Sequence, residues 1–206
     1  METAIIRDGD LSYAADVILS GGLVAVPTDT IYGLAGNGLD SAAVESIYEV
    51  KGRPSEKPLI LLIPDMDAAV KLCSDIPEDA RLLAKVFWPG ALTLILPRSN
   101  IVPDIVTAGA NAVGVRCPNH PKTLDLLRLA GVPLAAPSAN PSDMPSPKTA
   151  GEVLAYFDGK IPCVVDGGTC TLSFESTIID LTAKPYKIIR QGAIPEMEIW
   201  QVLRKR

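Results

Sequence analysis

Three cationic side chains fall within a seven-residue stretch that a glycine and a proline interrupt. The segment KGRPSEKP at 51–58 carries them, and the apolar run LILLI at 59–63 follows it directly. Proline fixes the backbone φ angle, so such a loop loses little conformational entropy when a ligand binds. Arginine offers a planar fork of donors and lysine a point charge, and both suit phosphates and carboxylates. The segment predicts an anion-binding loop at the mouth of a buried strand.

Five further polar segments follow apolar runs. They are PTDTIYGL at 27–34, VRCPNHP at 115–121, APSANPS at 136–142, DGGTCTLSFEST at 166–177 and RQG at 190–192. In open α/β sheets, ligands bind beyond the carboxyl ends of the strands. If these loops share that edge, one pocket collects cations, hydroxyls and an amide: Lys51, Arg53, Lys57, Arg116, Arg190, Thr28, Thr30, Tyr32, Ser138, Ser146, Ser176 and Asn140. We expect such a pocket to bind phosphates together with a carboxylate.

The composition limits what kind of protein this is. The 206 residues are 48% apolar and 21% charged, enough for one sizeable core, so we expect a single domain over 1–206. The pI of about 4.9 argues against a protein whose whole surface binds nucleic acid. Any anion site must therefore be a local basic pocket.

The cysteines and the single histidine do not indicate a disulfide framework or a metal site. Cys73, Cys117, Cys163 and Cys170 form no C-x-x-C pair, and His120 stands alone. Four reduced thiols are typical of a cytosolic protein. The acidic N-terminus lacks the apolar core of a signal peptide, and no apolar run is long enough to span a bilayer. We expect a soluble cytoplasmic protein.

Short apolar runs alternate with helical patterns along the chain. Predicted strands lie at 21–26, 59–63, 91–96, 113–116, 133–140, 163–168, 176–181 and 186–192. Predicted helices lie at 41–50, 65–73, 78–87, 120–129 and 149–157 and at the C-terminus, with loops at 27–40 and 97–112. The alternation predicts an α/β fold, and two strand pairs without an intervening helix predict a mixed sheet. Ser41 is the expected cap of its helix and Gly52 its end.

Common catalytic motifs are missing. There is no G-x-x-x-x-G-K-[ST], and GNG at 36–38 lacks the third glycine of a dinucleotide fingerprint. Ser138 lies in PSAN and not in G-x-S-x-G, which argues against a hydrolase nucleophile. His120 precedes a proline at a predicted helix start, where a cap or surface role is more common than a catalytic one.

These segments closely resemble the YrdC-like family, the threonylcarbamoyl-AMP synthases. The K-x-R and S-x-N signature of that family stands here at 51–53 and 138–140. PTDTIYGL, WPGALT, VGVRCPNHP, the PSP at 145–147 and ESTIID also look like family blocks. The resemblance runs from about residue 5 to about 192, and the chain resembles the short stand-alone form. It implies a twisted open α/β sheet, flanked by helices, with a basic concave cavity.

The resemblance also implies a reaction. L-threonine, bicarbonate or CO2, and ATP would give threonylcarbamoyl-adenylate and pyrophosphate. The amine would form a carbamate, whose oxygen would attack the α-phosphorus. The product would pass to a tRNA-modifying transferase complex. Mg2+ would accompany ATP, since no acidic cluster marks a dedicated metal cage.

Family roles carry over to individual positions. Lys51 and Arg53 would neutralise the triphosphate as the catalytic cations. The ATP contacts would be Arg53, Lys57, Ala112, Ser138, Asn140, Ser146 and Arg190. The threonine contacts would be Thr30, Tyr32, Arg116, Ala136 and Ser176.

Two positions depart from the family pattern. Leu62 stands where some members place a histidine beside threonine, so an apolar side chain must take that place. Asp143 stands where glycine is expected before PSP, which bears on the loop conformation and on the Ser146 contact. Because both positions border the pocket, a paralogue with a different carbamoyl substrate stays open as an alternative.

A binding module is the other alternative. A basic concavity could hold tRNA or double-stranded RNA without catalysis, and salt-dependent RNA binding without nucleotide turnover would identify it. Related carbamoyl-transfer enzymes usually carry acylphosphatase-like and zinc-finger domains, which are not evident in this sequence.

Overall fold

A ten-stranded sheet runs through this computed structural model, which describes residues 2–7, 9–172 and 174–204. Its strands in chain order are β1 (Ala4–Ile6), β2 (Val24–Val26), β3 (Gly33–Asn37), β4 (Ile60–Leu62), β5 (Leu92–Pro97), β6 (Ala112–Arg116), β7 (Leu134–Ala135), β8 (Cys163–Val165), β9 (Thr177–Asp180) and β10 (Lys187–Arg190). The helices are α1 (Ser12–Leu19), α2 (Ser41–Lys51), α3 (Met66–Leu72), α4 (Glu78–Phe87), α5 (Asp104–Thr107), α6 (Pro121–Ala130), α7 (Ala150–Phe157) and α8 (Glu196–Arg204).

The sheet is mixed, as the sequence predicts. Its spatial order is β1-β8-β2-β3-β7-β4-β6-β5-β9-β10. The pairs β1–β8, β2–β8, β4–β6 and β5–β9 are parallel, and the pairs β2–β3, β3–β7, β4–β7, β5–β6 and β9–β10 are antiparallel. The last two strands, predicted at 176–181 and 186–192, pair with each other as an antiparallel hairpin.

Helices cover both faces of this sheet. Buried residues of α1 and α6 pack on one face with Val24 and Leu134. Buried residues of α2, α3, α4, α7 and α8 pack on the other face with Leu34 and Leu61. The inner strands are buried on both sides, which explains why their sequences are continuous apolar runs without strict alternation.

The helix before the cationic loop begins and ends through specific caps. The Asp40 carboxylate accepts a hydrogen bond from Ala42 N at 2.9 Å, so Asp40 is the N-cap of α2. The prediction that Ser41 caps this helix is wrong, because Ser41 is already its first helical residue. Gly52 ends α2 at φ 59°, a left-handed conformation that glycine adopts without a steric penalty.

Four elements are absent from the predicted set. The loop predicted at 27–40 contains β3, the loop predicted at 97–112 contains α5, and the N-terminal β1 and α1 lie outside the predicted elements. The sequence of β3, GLAGN, has weak strand propensity. It is a strand because it pairs with β2 on one side and β7 on the other.

All four cysteines are unpaired and buried. In the portion of the chain that the structure describes, no helix has both the length and the apolar character needed to cross a membrane.

Candidate functional site

A polar cavity lies over the middle of the sheet. Its walls come from the segment after β2, the loop after α2, β4, the end of β6, the segment after β7, and both strands of the last hairpin. The lining residues are Thr28, Thr30, Ile31, Gly33, Arg53, Pro58, Leu59, Ile60, Leu62, Arg116, Ala136, Pro137, Ser138, Glu175, Ser176, Ile178 and Arg190.

The cavity is not confined to one edge of the sheet. Ile60 and Leu62 lie two positions apart on β4, and both line the cavity, so it extends over a face of the strand. Ala136 N bonds to Ile60 O, which sets the end of β7 beside the start of β4. The expectation of a shared carboxyl edge is therefore wrong in part, because β7 runs antiparallel to β4.

Three arginines and one acid account for the charged lining. Arg53, Arg116 and Arg190 line the cavity, and Glu175 is the acidic residue among the described lining residues. Of the other predicted cations, Lys57 is exposed outside the lining, and Lys51 is buried behind it. The concentration of arginine gives this region a positive charge although the chain is acidic.

Arg116 is held in the cavity wall by three acceptors. Its Nε donates to Gly90 O at 2.9 Å, its Nη1 to Thr30 Oγ1 at 2.9 Å, and its Nη2 to Asp29 Oδ1 at 2.6 Å. A guanidinium has five N–H groups, and the described residues accept hydrogen bonds from three of them. Burial lowers the pKa of Arg116, while the Asp29 carboxylate opposes that shift.

A short chain of hydroxyls fixes Thr30. Thr28 Oγ1 lies 2.9 Å from Thr30 Oγ1 and donates to Ile31 O at 2.6 Å. Thr30 also accepts the hydrogen bond from Arg116. Its hydroxyl is therefore oriented before a ligand arrives.

Arg190 and Ser176 form another wall of the cavity. Arg190 Nη2 donates to Ser176 O at 2.9 Å and to Ser176 Oγ at 3.2 Å, and its Nη1 pairs with the Glu175 carboxylate. Ser176 Oγ lies 2.8 Å from Thr93 Oγ1. Arg190 also lowers the pKa of Arg116, so charge at one wall is felt at the other.

The loop at 51–58 folds back on Arg53. Arg53 Nε donates to Lys57 O at 3.2 Å, and its Nη2 donates to Pro58 O at 3.0 Å. Burial lowers the pKa of Arg53. The main-chain carbonyls of this loop therefore hold the Arg53 guanidinium in place.

Lys51 joins the two halves of the family signature. Its ammonium donates to the main-chain carbonyls of Ser138 and Asn140, and only 4% of the residue is exposed. Burial, with a smaller contribution from Arg53, lowers its pKa to about 8. Asn140 Nδ2 donates to Pro141 O at 2.8 Å and to Met144 O at 2.7 Å. Within the described structure, buried Asn140 Oδ1 lacks a partner.

Other predicted contacts lie outside the cavity lining. Tyr32 is fully buried, and its hydroxyl donates to Gly168 O at 2.8 Å and accepts from Gly167 N at 3.0 Å. Burial raises the pKa of Tyr32 to about 12. Ser146 lies in the proline-rich loop, and Ala112 begins β6 opposite Pro97. Ala136, in contrast, lines the cavity.

The two departures from the family pattern have clear structural settings. Leu62 lines the cavity and is 2% exposed, so an apolar side chain does take that place in the wall. Asp143 adopts φ 66° in the left-handed region, which explains why glycine would suit this position.

Two acidic residues of the site were not among the predicted site residues. Asp29 holds Arg116 and also accepts from Asn119 N at 2.9 Å, and Glu175 pairs with Arg190. Each stands directly beside a predicted threonine contact, in PTDT and in EST. A buried arginine needs a counter-charge. An acidic residue next to a predicted threonine contact was therefore the sequence signal that could have identified both residues.

Comparisons with known proteins identify the fold and the family. The family model Sua5/YciO/YrdC, described as "Telomere recombination", matches residues 16–192. A threonylcarbamoyl-AMP synthase of Pyrococcus abyssi is 48% identical over 198 residues, which are 96% of this chain and 58% of that protein. One of Bacillus subtilis is 43% identical over 198 residues, again 96% of this chain, and 57% of that protein.

A solved structure gives the same result. The crystal structure of Pyrococcus abyssi Sua5 complexed with L-threonine matches with a TM-score of 0.95 at 45% identity, covering 98% of this chain and 61% of that one. The chain thus spans about three-fifths of the length of these relatives. By fold and by sequence, the chain belongs to the Sua5/YciO/YrdC family.

Proposed function

We propose that this chain makes threonylcarbamoyl-adenylate and pyrophosphate from L-threonine, bicarbonate or CO2, and ATP. The observation that carries the proposal is that Arg116, which donates only three of its five N–H groups to described residues, shares one cavity with Arg53 and Arg190. Arg116 can bind a carboxylate, and Arg53 and Arg190 can bind phosphates. A cavity with both kinds of site suits an enzyme that joins an amino acid to a nucleotide. The relatives named threonylcarbamoyl-AMP synthase support the same reaction.

The threonine end of the cavity is the wall around Arg116. Its two remaining N–H groups can bind a carboxylate, and Thr30 and Ser176 offer hydroxyls within the same lining. Leu62 supplies an apolar surface that suits the threonine methyl group. The complex of the Pyrococcus abyssi protein with L-threonine supports an amino-acid site in this fold.

The nucleotide end is the wall formed by Arg53, Ser138 and Arg190. These residues line the cavity, and Arg53 is fixed by carbonyls of its own loop. Preorganised donors stabilise charge that develops on a transferring phosphoryl group. Lys57 and Ser146, which lie outside the lining, stay predicted ATP contacts, as does the backbone at Ala112.

The reaction needs positioning more than it needs a nucleophilic side chain. The threonine amine attacks the carbon of CO2 and loses a proton to give the carbamate, or it attacks bicarbonate and the same carbamate forms with loss of water. A carbamate oxygen then attacks the α-phosphorus of ATP, and the bond to the pyrophosphate oxygen breaks. Holding both substrates in one cavity makes each step effectively intramolecular.

The described residues do not suggest a protein cage for Mg2+. They include no cluster of three histidine, cysteine or acidic side chains that could hold a metal ion. The two acids near the cavity are paired with arginines. Mg2+ would therefore enter as part of the ATP complex.

Delivery of the product to a tRNA-modifying transferase complex and a cytoplasmic location complete the proposal. The four unpaired cysteines support a reducing compartment. Direct binding of tRNA is not needed for the adenylation step.

The first experiment measures pyrophosphate release from ATP with Mg2+ and bicarbonate, with and without L-threonine. We expect release to require both threonine and bicarbonate. L-valine should be a poor substrate, because a site that hydrogen-bonds a substrate hydroxyl rejects an analogue without it. Folded protein that releases no pyrophosphate in a threonine-dependent way would overturn the proposal.

A further inference from the structure

Glu175 gives the cavity a negative group that the proposed reaction has so far left unused. The cavity is otherwise lined by three arginines and by neutral residues. An amino-acid substrate, however, brings an ammonium group as well as a carboxylate. A site made only of cations would repel that ammonium group, so an acid in the wall calls for an explanation.

Asp29, the other acid near the cavity, is already engaged. Its Oδ1 accepts hydrogen bonds from Arg116 Nη2 and Asn119 N, its side chain is 7% exposed, and it is not among the described lining residues. Its charge serves to keep Arg116 ionised in a buried position. Asp29 is therefore a poor partner for a substrate.

Glu175 has a different setting. Its Oε2 pairs with Arg190 Nη1, 39% of its side chain is exposed, and the residue lines the cavity. For its other carboxylate oxygen, Oε1, the described structure contains no hydrogen-bond partner. A carboxylate has about four acceptor positions, so Glu175 can bind Arg190 and a second cation at the same time.

Glu175 also shares its cavity with the residues of the threonine end. It precedes Ser176 in the chain, and Glu175, Ser176, Thr30 and Arg116 all line the same cavity. The carboxylate and ammonium groups of an α-amino acid are attached to the same carbon. A ligand whose carboxylate is bound by Arg116 must therefore present its ammonium group within the same small volume.

We propose that the Glu175 carboxylate binds the α-ammonium group of the amino-acid substrate, while the Arg116 guanidinium binds its carboxylate. This inference rests on the proposed function and deepens it. Glu175 thereby makes the cavity selective for α-amino acids over hydroxy acids that carry the same carboxylate and hydroxyl group. The ion pair with Arg190 holds the glutamate side chain in place for this contact.

The test compares two ligands in direct titration calorimetry. They are L-threonine and (R)-3-hydroxybutyrate, which keeps the carboxylate, the hydroxyl and the methyl group but has no amine. For Glu175→Gln, we expect the Kd for L-threonine to rise by about 10- to 100-fold, as for the loss of a hydrogen bond to a charged group. The Kd for the hydroxy acid should change by less than about 3-fold, because that ligand has no ammonium group to lose.

Glu45→Gln is the matched control. Glu45 is exposed on α2, so this substitution removes the same charge from a place away from the cavity. It should bind both ligands as the wild type does. Glu175→Asp keeps the charge on a shorter side chain, and we expect it to recover part of the affinity for L-threonine. Steady-state kinetics of Glu175→Gln should show a larger rise in the KM for threonine than in the KM for ATP, which can also change because Glu175 pairs with Arg190 of the nucleotide end.

If Glu175→Gln lost affinity equally for both ligands, Glu175 would have a merely structural role and the inference would be overturned. Unchanged binding of L-threonine would overturn it as well, and the ammonium partner would then be a hydroxyl or a main-chain carbonyl. These results are separable from a failure of the proposed function. A wild type that binds L-threonine but releases no pyrophosphate would remove the function and leave the ammonium site standing.

Discussion

The ammonium group of Lys51 donates a hydrogen bond to the main-chain carbonyl of Ser138, which lies 87 positions later in the chain. Ser138 lines the cavity and Lys51 does not. A second hydrogen bond, to Asn140 O, ties the same lysine to the end of the S-x-N segment. In this conformation Lys51 holds one wall of the cavity in place. These two carbonyls use two of the three N–H donors of the ammonium group.

Replacing Lys51 with methionine tests that role. Methionine fills a similar volume but cannot donate to either carbonyl, so the Ser138 segment loses its anchor. We expect kcat for threonine-dependent pyrophosphate release to fall by at least about 10-fold, because a displaced Ser138 segment would misplace the bound substrates. Circular dichroism should show a retained fold.

The control for this variant is Lys160→Met, which alters an exposed lysine far from the cavity lining. Its kcat should equal that of the wild type. Full activity in Lys51→Met would refute the anchoring role and the catalytic assignment together.

Lys51 also predicts a pH dependence of stability. Its pKa falls from 10.5 to about 8 on folding, chiefly through burial, so the unfolded chain binds more protons between these values. Stability contributed by this group therefore rises with pH across that window. Between pH 7 and pH 9.5 the wild type should gain about 2 kcal/mol of unfolding free energy relative to Lys51→Met.

The measurement is urea unfolding of both proteins at each pH. Other titrating groups, including the buried cysteines and tyrosines, are common to both and cancel in the difference. The unfolding free energy of the wild type relative to Lys51→Met could instead stay constant or fall as the pH rises. Either result would mean that Lys51 is not desolvated in the folded protein.

Asp29→Asn should destabilise the fold. The substitution keeps an oxygen acceptor for Arg116 Nη2 but removes the negative charge beside a guanidinium that is 3% exposed. Leaving a buried charge without its partner costs about 3 kcal/mol. We also expect the KM for threonine to rise, since Arg116 would be held less firmly without its ion pair to Asp29.

The matched variant is Asp125→Asn, which removes the carboxylate of the exposed pair with Arg128. Such surface pairs contribute about 0–1 kcal/mol, so this variant should unfold close to the wild type. Similar denaturation midpoints for the two variants would contradict the claim that Asp29 compensates a buried charge.

The left-handed backbone at Asp143 gives a fourth prediction. A β-branched residue at φ 66° is strained, so Asp143→Val should lose about 1–3 kcal/mol of unfolding free energy. Asparagine tolerates this region well, and Asp143→Asn should stay within about 0.5 kcal/mol of the wild type. Thermal or urea unfolding measures both. Equal stability of the valine and asparagine variants would show that the loop adopts another conformation.

The sequence by itself was enough to predict most of the helices, most of the strands and the mixed sheet. Apolar runs such as LILLI and ALTLIL encode buried strands through their composition, and Gly52 encodes a helix end through its backbone freedom. The recurrence of polar segments after these runs also predicted a cavity with Arg53, Arg116 and Arg190 in its lining. Such signals are local, because they depend on the properties of neighbouring residues.

The tertiary structure alone decided which polar residues face the cavity. Lys51 and Tyr32 stand in the same motifs as Arg53 and Thr30, yet Lys51 turns to the carbonyls of another segment and Tyr32 to the backbone at 167–168. β3 is a strand because it pairs with β7, which lies far along the chain. Asp29 and Glu175 have their roles because the fold brings Arg116 to the first and Arg190 to the second. The physical reason is that buried polar groups must find partners wherever the fold brings them, and those partners lie far away in sequence.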